Sequence, residues 1–520
     1  MGIPYYFSYI IKNYSNIIRN LSNLKNSEIN FEHLYMDCNS IIYDSVHLLE
    51  KLIDEKKIIY KNNSDFEELV IKKTIEKIYY YIDFIKPEKT IFIAFDGVAP
   101  FAKMKQQRER RYKSNFLSKI SINNKNKWNT SAITPGTEFM NKLSVAINKE
   151  FFKKEKKNKV KKIIISCSKI QGEGEHKIYE NIRENNNIND NIFVYGLDAD
   201  LIMLSIFHLK YSTNIYVFKE TPEFLNNIIN IDNKKEEIQF LDIQKLCNSV
   251  LSKMDCNFSN KRRIDDYVFL CFFLGNDFLP HFPAMNIRTH GIDVLLEIYK
   301  KNIGNYIDRY FISENGNIQW KYVKLFIKEI ANREHQFLIN EYNVRKKFDK
   351  YIFPEKTDEE KNKIIMDVPI IYREKENYIC PYEPYWENRY YFTLFDIEYK
   401  HDIVQNICIN YLEGLEWVYK YYTNDCKNWS WYYKYNYPPL FNDLYKFIPN
   451  TEKEFINIDK KTLTPYQQLC YVLPKDSFYL LPKEIQETVI EEDKIYEFEW
   501  SFCRYFWESH IKIKGTLASP

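Results

Sequence analysis

Residues 191–200, NIFVYGLDAD, decide the fold. Ile192, Phe193, Val194 and Tyr195 form a short apolar run that meets Gly196 and then two acids, Asp198 and Asp200. A run of this length, rich in β-branched and aromatic residues, reads as a strand covered on both faces, as in a parallel sheet. Three further stretches have the same form: HLYMD (33–37), TIFIAFD (90–96) and KKIIISCS (161–168). The first two end in Asp37 and Asp96, and Glu173 and Glu175 follow the third within a few residues. Helical patterns alternate with these runs through residue 300. The expected architecture is therefore α/β, a mainly parallel central sheet with flanking helices. Ligands in such sheets bind at the carboxyl ends of the strands, which is where the acids fall. The segment RRIDDYVFLCFFLGND (262–277) reads as a buried helix ended by Gly275 and Asn276, and it brings Asp277 to the same region.

Seven carboxylates are thus expected to converge: Asp37, Asp96, Glu173, Glu175, Asp198, Asp200 and Asp277. Each alone has an ordinary reading. Asp198 fits a helix cap, and Asp37, Asp96 and Asp277 fit turn or loop residues. Glu173 and Glu175 fit a solvated turn around Gly174. The ordinary readings must be invoked separately at five sites, whereas a shared metal centre explains all seven at once. Residues 198 and 200, in an extended segment, would point to one face. Gly174 would let its backbone approach closely. An oxygen-only set of this kind suits two Mg²⁺, or Mn²⁺, the apparatus of phosphodiester hydrolysis. The neighbouring Asp265 and Asp266 are expected to cap or to pair with Arg262 or Arg263 rather than to bind metal.

The helix expected over FAKMKQQRERRYK (101–113) places Lys103, Gln107, Arg110 and Arg111 at offsets of 0, 4, 7 and 8, on one face. Such faces are usually solvated, but beside Asp96 this one suits a terminal phosphate. The run KKEKKNKVKK (153–162) reads as exposed surface.

At 520 residues the chain has room for two to four domains. We expect an N-terminal catalytic region over 1–340, a charged connection over 341–389, and a mostly helical second region over 390–520 that packs on the first and completes the site. A net charge of +3 carries no general signal for nucleic acid, so any basic surface is local. The ten Cys are scattered singly, which points to reduced thiols in a cytosolic or nuclear setting without structural zinc. The N-terminus, MGIPYYFSYIIKNY, fits neither a signal peptide nor a membrane span, and no membrane association is expected. The 43 Tyr and 36 Phe, with abundant Ile, Lys and Asn, read mainly as a compositional bias.

Together the motifs resemble the Xrn family of 5′-to-3′ exoribonucleases. The stretches that carry the likeness are MGIPYYF, LYMDCNSIIY, FDGVAPFAKMKQQRERR, ITPGTEFM (133–140), QGEGEHKI, YGLDADLIML and DDYVFLCFFLGNDFLPHFP. It continues through YLEGLEWVYKYYTNDCKNWSWYYKYNYPPLFNDL (411–444) and LTPYQQLCYVLPKDSFYLLP (463–482). The resemblance implies a 5′-nuclease, PIN-like core and a metal-binding role for the seven acids. It implies a 5′-monophosphate pocket of Lys103, Gln107, Arg110 and Arg111, and a duplex-blocking role for Pro100. Where the family has a His that stacks on a base, this chain has Tyr43, whose ring can still stack. The opposite wall falls to Trp429 or Trp431, with core packing expected for one of them. Phe101 stands where a basic residue is usual, so one phosphate contact is expected to be missing. Without a zinc-knuckle pattern the cytoplasmic type is favoured, and a monomer is expected.

The resulting expectation is a Mg²⁺-dependent exoribonuclease that degrades single-stranded RNA bearing a 5′-monophosphate and releases nucleoside 5′-monophosphates. Two rivals are a structure-specific 5′ flap nuclease on DNA and a catalytically silent RNA-binding protein. The flap enzymes carry paired glycines in a helix-hairpin-helix, which HFPAMNIRTHGIDVLLEIYK lacks, and a silent binder would have lost metal ligands.

Overall fold

Side chains alternate strictly across the central strands. In β5 (Asn191–Tyr195), Ile192 and Val194 face one core while Phe193 and Tyr195 face another. In β2 (His33–Asp37), Tyr35 faces the first, and Leu34 and Met36 the second. In β3 (Thr90–Ala94), Phe92 and Ala94 oppose Ile91 and Ile93 in the same way. Burial on both faces explains why these strands read as unbroken apolar runs. The computed structural model describes residues 2–120, 128–185, 188–196, 198–220, 238–347, 352, 354–361 and 373–492, and the backbone of 497–505 and 508–514.

The seven-stranded sheet has the order β1-β7-β6-β5-β2-β3-β4. The remaining strands are β1 (Ile18–Arg19), β4 (Lys162–Ser166), β6 (Asn214–Glu220) and β7 (Ile238–Asp242). β2, β3, β4, β5 and β6 run parallel, and β7 lies antiparallel to both β6 and β1. Because β2 lies between β3 and β5, the chain crosses to opposite sides of it, and a crevice opens at the carboxyl ends there. Asp37, Asp96 and Asp198 stand at or just beyond those ends.

One core is closed by the helices Asn39–Asp54, Asn63–Ile85 and Glu138–Phe151. The other continues without a break from the helix Ala199–His208 through Arg263–Cys271, Trp320–Lys346 and His401–Thr423. The second region is thus packed on the sheet's own helices; Phe207 and Tyr419, for example, meet edge to face at 5.8 Å.

The boundary at residue 340 falls inside the helix Trp320–Lys346, so the charge of residues 341–346 belongs to a helix end. The segment after it is also no simple surface connection: buried Glu376 accepts from Arg345 Nε at 2.6 Å and from Arg373 Nη2 at 2.6 Å. Residues 348–351, 353 and 362–372 of that connection lie outside the described residues. The helical second region also ends in a two-stranded antiparallel pair, β8 (Glu497–Tyr505) and β9 (Glu508–Lys514).

Candidate acidic centre and its basic helix

Asp37 ends β2, and Asp96 lies two residues beyond β3. Asn39 holds Asp96 from both sides: its amide Nδ2 donates to the carboxylate, and its Oδ1 accepts from the Asp96 backbone N–H at 3.2 Å. The 173–175 turn then closes over them. Gly174 N–H donates to Asp96 Oδ1 at 2.7 Å, and a Cβ at position 174 would stand 2.7 Å from Asp37 Oδ1. The close approach expected of Gly174 is therefore realised.

The pair at 198 and 200 differs from its expected geometry. Gly196, at φ +139°, ends β5, and a helix starts at Ala199. Asp198 is an exposed N-cap residue whose side chain makes no capping bond, while Asp200 is buried in the first turn. The two carboxylates therefore approach the crevice from different backbone geometries, because the left-handed Gly cuts the extended segment short.

Lys103 joins the basic helix to the acids. Its ammonium lies 2.7 Å from Glu173 Oε2 and 2.9 Å from Asp277 Oδ2. Burial opposes its charge, yet Asp277 and Glu173 hold its pKa well above the ordinary lysine value. Burial would raise Asp277, but Lys103 above all keeps it below the usual carboxylate range. Elsewhere the acids crowd one another. Burial, then Asp96 and Asp198, push Asp37 up; burial, then Asp200, push Glu175 well up. Burial, then Asp277, push Asp200 up. Negative charge here exceeds what Lys103 neutralises, and a hard divalent cation is the species that oxygen donors in such excess fit.

Several residues of the centre were not singled out from sequence. Gly2 N–H donates to Asp277 Oδ1 at 3.1 Å. At φ +53° it lies so close to Asp200 that a Cβ would come within 2.5 Å of Oδ1. From the helix His401–Thr423, Tyr421 donates to Glu173 Oε1 at 2.7 Å and Tyr422 donates to Asp200. His176 stacks on Tyr421 at 3.6 Å, and one ligand atom each from Glu173, Glu175 and His176 lie within 4.8 Å of one another. Burial, then Lys103, hold His176 well below the usual histidine pKa, so it is neutral at pH 7. Buried Lys177 donates to the Phe95 carbonyl at 2.8 Å and the Cys167 carbonyl at 3.2 Å, tying β3 to β4 beneath the acids.

The helix Phe101–Ile120 carries the other predicted residues. Gln107 is buried and Arg110 exposed. Arg111 has a buried Nη1 with no partner. Burial holds the Arg111 guanidinium down to about 10, against the influence of Tyr43, which leaves it protonated at neutral pH. Tyr43 itself is half-buried on the helix Asn39–Asp54.

Two family models match this chain: the XRN 5′-3′ exonuclease N-terminus over residues 1–221, and the Xrn1 helical domain over 257–381 and 370–504. The chain belongs to the Xrn family. Similar Xrn proteins include the 5′-3′ exoribonuclease 2 homolog of Drosophila melanogaster, 26% identical over 93% of this chain and 65% of its own length. The 5′-3′ exoribonuclease 1 of Saccharomyces cerevisiae is 27% identical over 95% of this chain and 40% of its own. The 5′-3′ exoribonuclease 2 of Candida glabrata is 31% identical over 64% of this chain and 38% of its own. This chain thus spans less than two-thirds of the length of these relatives. A solved structure, the catalytic core of Rad2 in complex with DNA substrate, matches at a TM-score of 0.32 and 13% identity, over 64% of this chain and 81% of that one. That likeness is too slight to bear on substrate.

The residues that the Xrn resemblance adds are placed unequally. Trp431 is 8% exposed, stacks on Trp417 at 5.2 Å and donates to Glu413, so it belongs to the core. Trp429 is half-buried, and its carbonyl accepts from Phe101 N–H at 2.8 Å. Pro100 is buried, and its carbonyl starts the 101–120 helix by accepting from Lys103 and Met104 N–H. Phe101 packs on Tyr432 and Tyr471, so it fills an apolar contact instead of facing a phosphate. Asp266, left unassigned to metal, is buried against Arg263 and Tyr299 and accepts from Ile312 N–H. Among the described residues no helix is long and apolar enough to cross a membrane.

Proposed function

We propose that this protein is a divalent-metal-dependent 5′-to-3′ exoribonuclease that acts on single-stranded RNA with a 5′-monophosphate and releases nucleoside 5′-monophosphates. One observation carries the reading. Lys103 bonds two of the acids while the same helix face continues to Arg110 and to Arg111 with its unpaired, buried N–H. A phosphate-binding face thus begins inside the acidic centre and ends about two turns away. An end group held there sets the register of the first phosphodiester against the carboxylates.

Asp37, Asp96, Glu173, Glu175, Asp198, Asp200 and Asp277 would hold Mg²⁺ or Mn²⁺, two ions in the fullest form of the proposal. Bound there, such ions supply an activated water and offset charge on the leaving oxygen. The chain's own groups do the rest. Arg110, Arg111, Gln107 and Lys103 bind the terminal phosphate, Arg bidentately. Tyr43 and Trp429 stack the first bases, which tolerates any sequence. Tyr421 and Tyr422 hold Glu173 and Asp200 in place. The buried Pro100 shapes the floor that single strands reach.

The test compares one RNA carrying a 5′-monophosphate, a triphosphate or a hydroxyl, with Mg²⁺. Mononucleotides from the monophosphate RNA alone support the proposal. Internal cuts indifferent to the end would indicate flap-type cleavage, and RNA binding without cleavage would indicate a silent binder.

A further inference from the structure

Glu173 and Asp277 are held alike, each with one oxygen tied to a distant segment and the other to the same ammonium. Glu173 Oε1 accepts from the Tyr421 hydroxyl at 2.7 Å, and its Oε2 lies 2.7 Å from Lys103 Nζ. Asp277 Oδ1 accepts from Gly2 N–H at 3.1 Å, and its Oδ2 lies 2.9 Å from Lys103 Nζ. The oxygens that a cation between these two acids must use are therefore the two that Lys103 holds. Lys103 and a divalent cation compete for the same atoms. A single charge on a flexible four-carbon stem yields there to a doubly charged ion that favours oxygen donors.

Once displaced, the ammonium needs another anion. The Lys103 side chain is only 14% exposed, so its charge is poorly solvated where it stands. Along the helix Phe101–Ile120 its face continues to Gln107, one turn on, and to Arg110 and Arg111, two turns on. Gln107 is neutral and the two Arg repel an ammonium. A terminal phosphate seated on that face supplies the missing partner.

We infer that Lys103 exchanges partners as the centre is loaded: it holds Glu173 and Asp277 until a divalent cation takes their second oxygens, and it then turns to the terminal phosphate. Metal binding and 5′-phosphate binding are thereby coupled, and each tightens the other by the same factor. A 5′-hydroxyl end gives the ammonium nothing to move to, so the acids stay occupied by Lys103. Such ends are discriminated against at metal loading as well as at the phosphate contacts. The inference deepens the exoribonuclease reading and rests on it for both the metal and the phosphorylated end.

The test measures Mn²⁺ binding to the full chain, through loss of the free-ion electron paramagnetic resonance signal, with adenosine 5′-monophosphate, with adenosine, or with neither. A titration without protein corrects for Mn²⁺ held by the nucleotide. Adenosine 5′-monophosphate should lower the half-saturating Mn²⁺ concentration about fivefold or more, the lower end of ordinary coupling between sites. Adenosine should leave it unchanged. Lys103→Met should bind Mn²⁺ severalfold tighter than the parent with neither compound present, and adenosine 5′-monophosphate should add nothing further. Lys103→Gln, which keeps a polar group beside both acids, should behave in the same way and serves if Lys103→Met fails to fold. No gain from adenosine 5′-monophosphate in the parent overturns the inference. A gain that persists in the variants also overturns it, because the phosphate would then bind the metal without Lys103. Mn²⁺ binding no tighter in the variants than in the parent does the same. The two readings fail separately. RNA degradation without coupling removes the exchange alone, whereas coupling in a protein that degrades no RNA sustains the exchange and removes the exoribonuclease reading.

Discussion

The Tyr421 hydroxyl lies 2.7 Å from Glu173 Oε1, across 248 residues of sequence. This bond ties the second region to the acidic centre, because Tyr421 belongs to the helix His401–Thr423 while Glu173 lies just before the helix Gly174–Asn185. Tyr421→Phe keeps the ring stacked on His176 and removes only the bond. A hydrogen bond to a charged group is worth about 1.5 kcal/mol or more. The half-saturating Mg²⁺ concentration for RNA degradation should rise roughly tenfold, with little change in unfolding midpoint. An unchanged metal dependence would show that Glu173 needs no support from the second region.

Gly2 should tolerate no side chain. Its φ of +53° and the 2.5 Å separation between a Cβ and Asp200 Oδ1 make Gly2→Ala move either the backbone or Asp200. Strain of this kind costs about 1–3 kcal/mol. Activity should fall about tenfold or more and the urea midpoint should fall with it, because Gly2 is buried and the strain lies in the folded state. Equal activity would contradict the placement of Gly2 against Asp200.

Lys103 bonds two of the seven acids. Lys103→Met leaves the repulsion between Glu173 and Asp277 unopposed, so in EDTA the variant should melt below the parent. Divalent metal should then raise its midpoint by more than it raises the parent's. A smaller metal-induced gain in the variant would place the bound charge away from Glu173 and Asp277.

Much of this arrangement was legible in the sequence because it follows from short-range rules. Strands buried on both faces announce themselves as apolar runs, and their ends carry Asp37 and Asp96. The sequence leaves Asp198 open between a strand end and a helix cap, because a DxD pair looks the same in both. The left-handed Gly196 decides between the two. Tyr421 and Tyr422 were hidden by the abundance of Tyr, which composition alone explains adequately. Gly2, Asn39 and Lys177 act through backbone contacts between segments far apart in sequence, which no local pattern encodes. No local pattern ranks Trp429 against Trp431, because it is Trp417 and Gly414, on the helix His401–Thr423, that bury Trp431.

A pH effect is expected far from the centre. Buried Glu334 accepts from Phe441 N–H at 2.7 Å and Asn442 N–H at 2.9 Å, and burial raises its pKa to about 8. In the unfolded chain this carboxyl ionises at its ordinary value of 4.5, whereas the folded chain keeps it protonated until about 8. Its contribution to stability is therefore full below pH 4.5 and is lost as pH rises toward 8, at up to about 1.4 kcal/mol per pH unit. Between pH 6 and 8, urea unfolding of Glu334→Gln should lose less stability than that of the parent. Parallel losses would show that Glu334 is ionised in the folded protein.

The central claim, a metal centre that removes one nucleotide at a time from a phosphorylated 5′ end, is tested most directly by the first turnover. A single-stranded RNA labelled at its 5′-monophosphate is mixed with excess protein and Mg²⁺, beside the variant Asp198→Ala/Asp200→Ala. The account predicts that the label appears at once as nucleoside 5′-monophosphate with the parent protein and stays in full-length RNA with the variant. Label in longer fragments, or equal release by the variant, would contradict it.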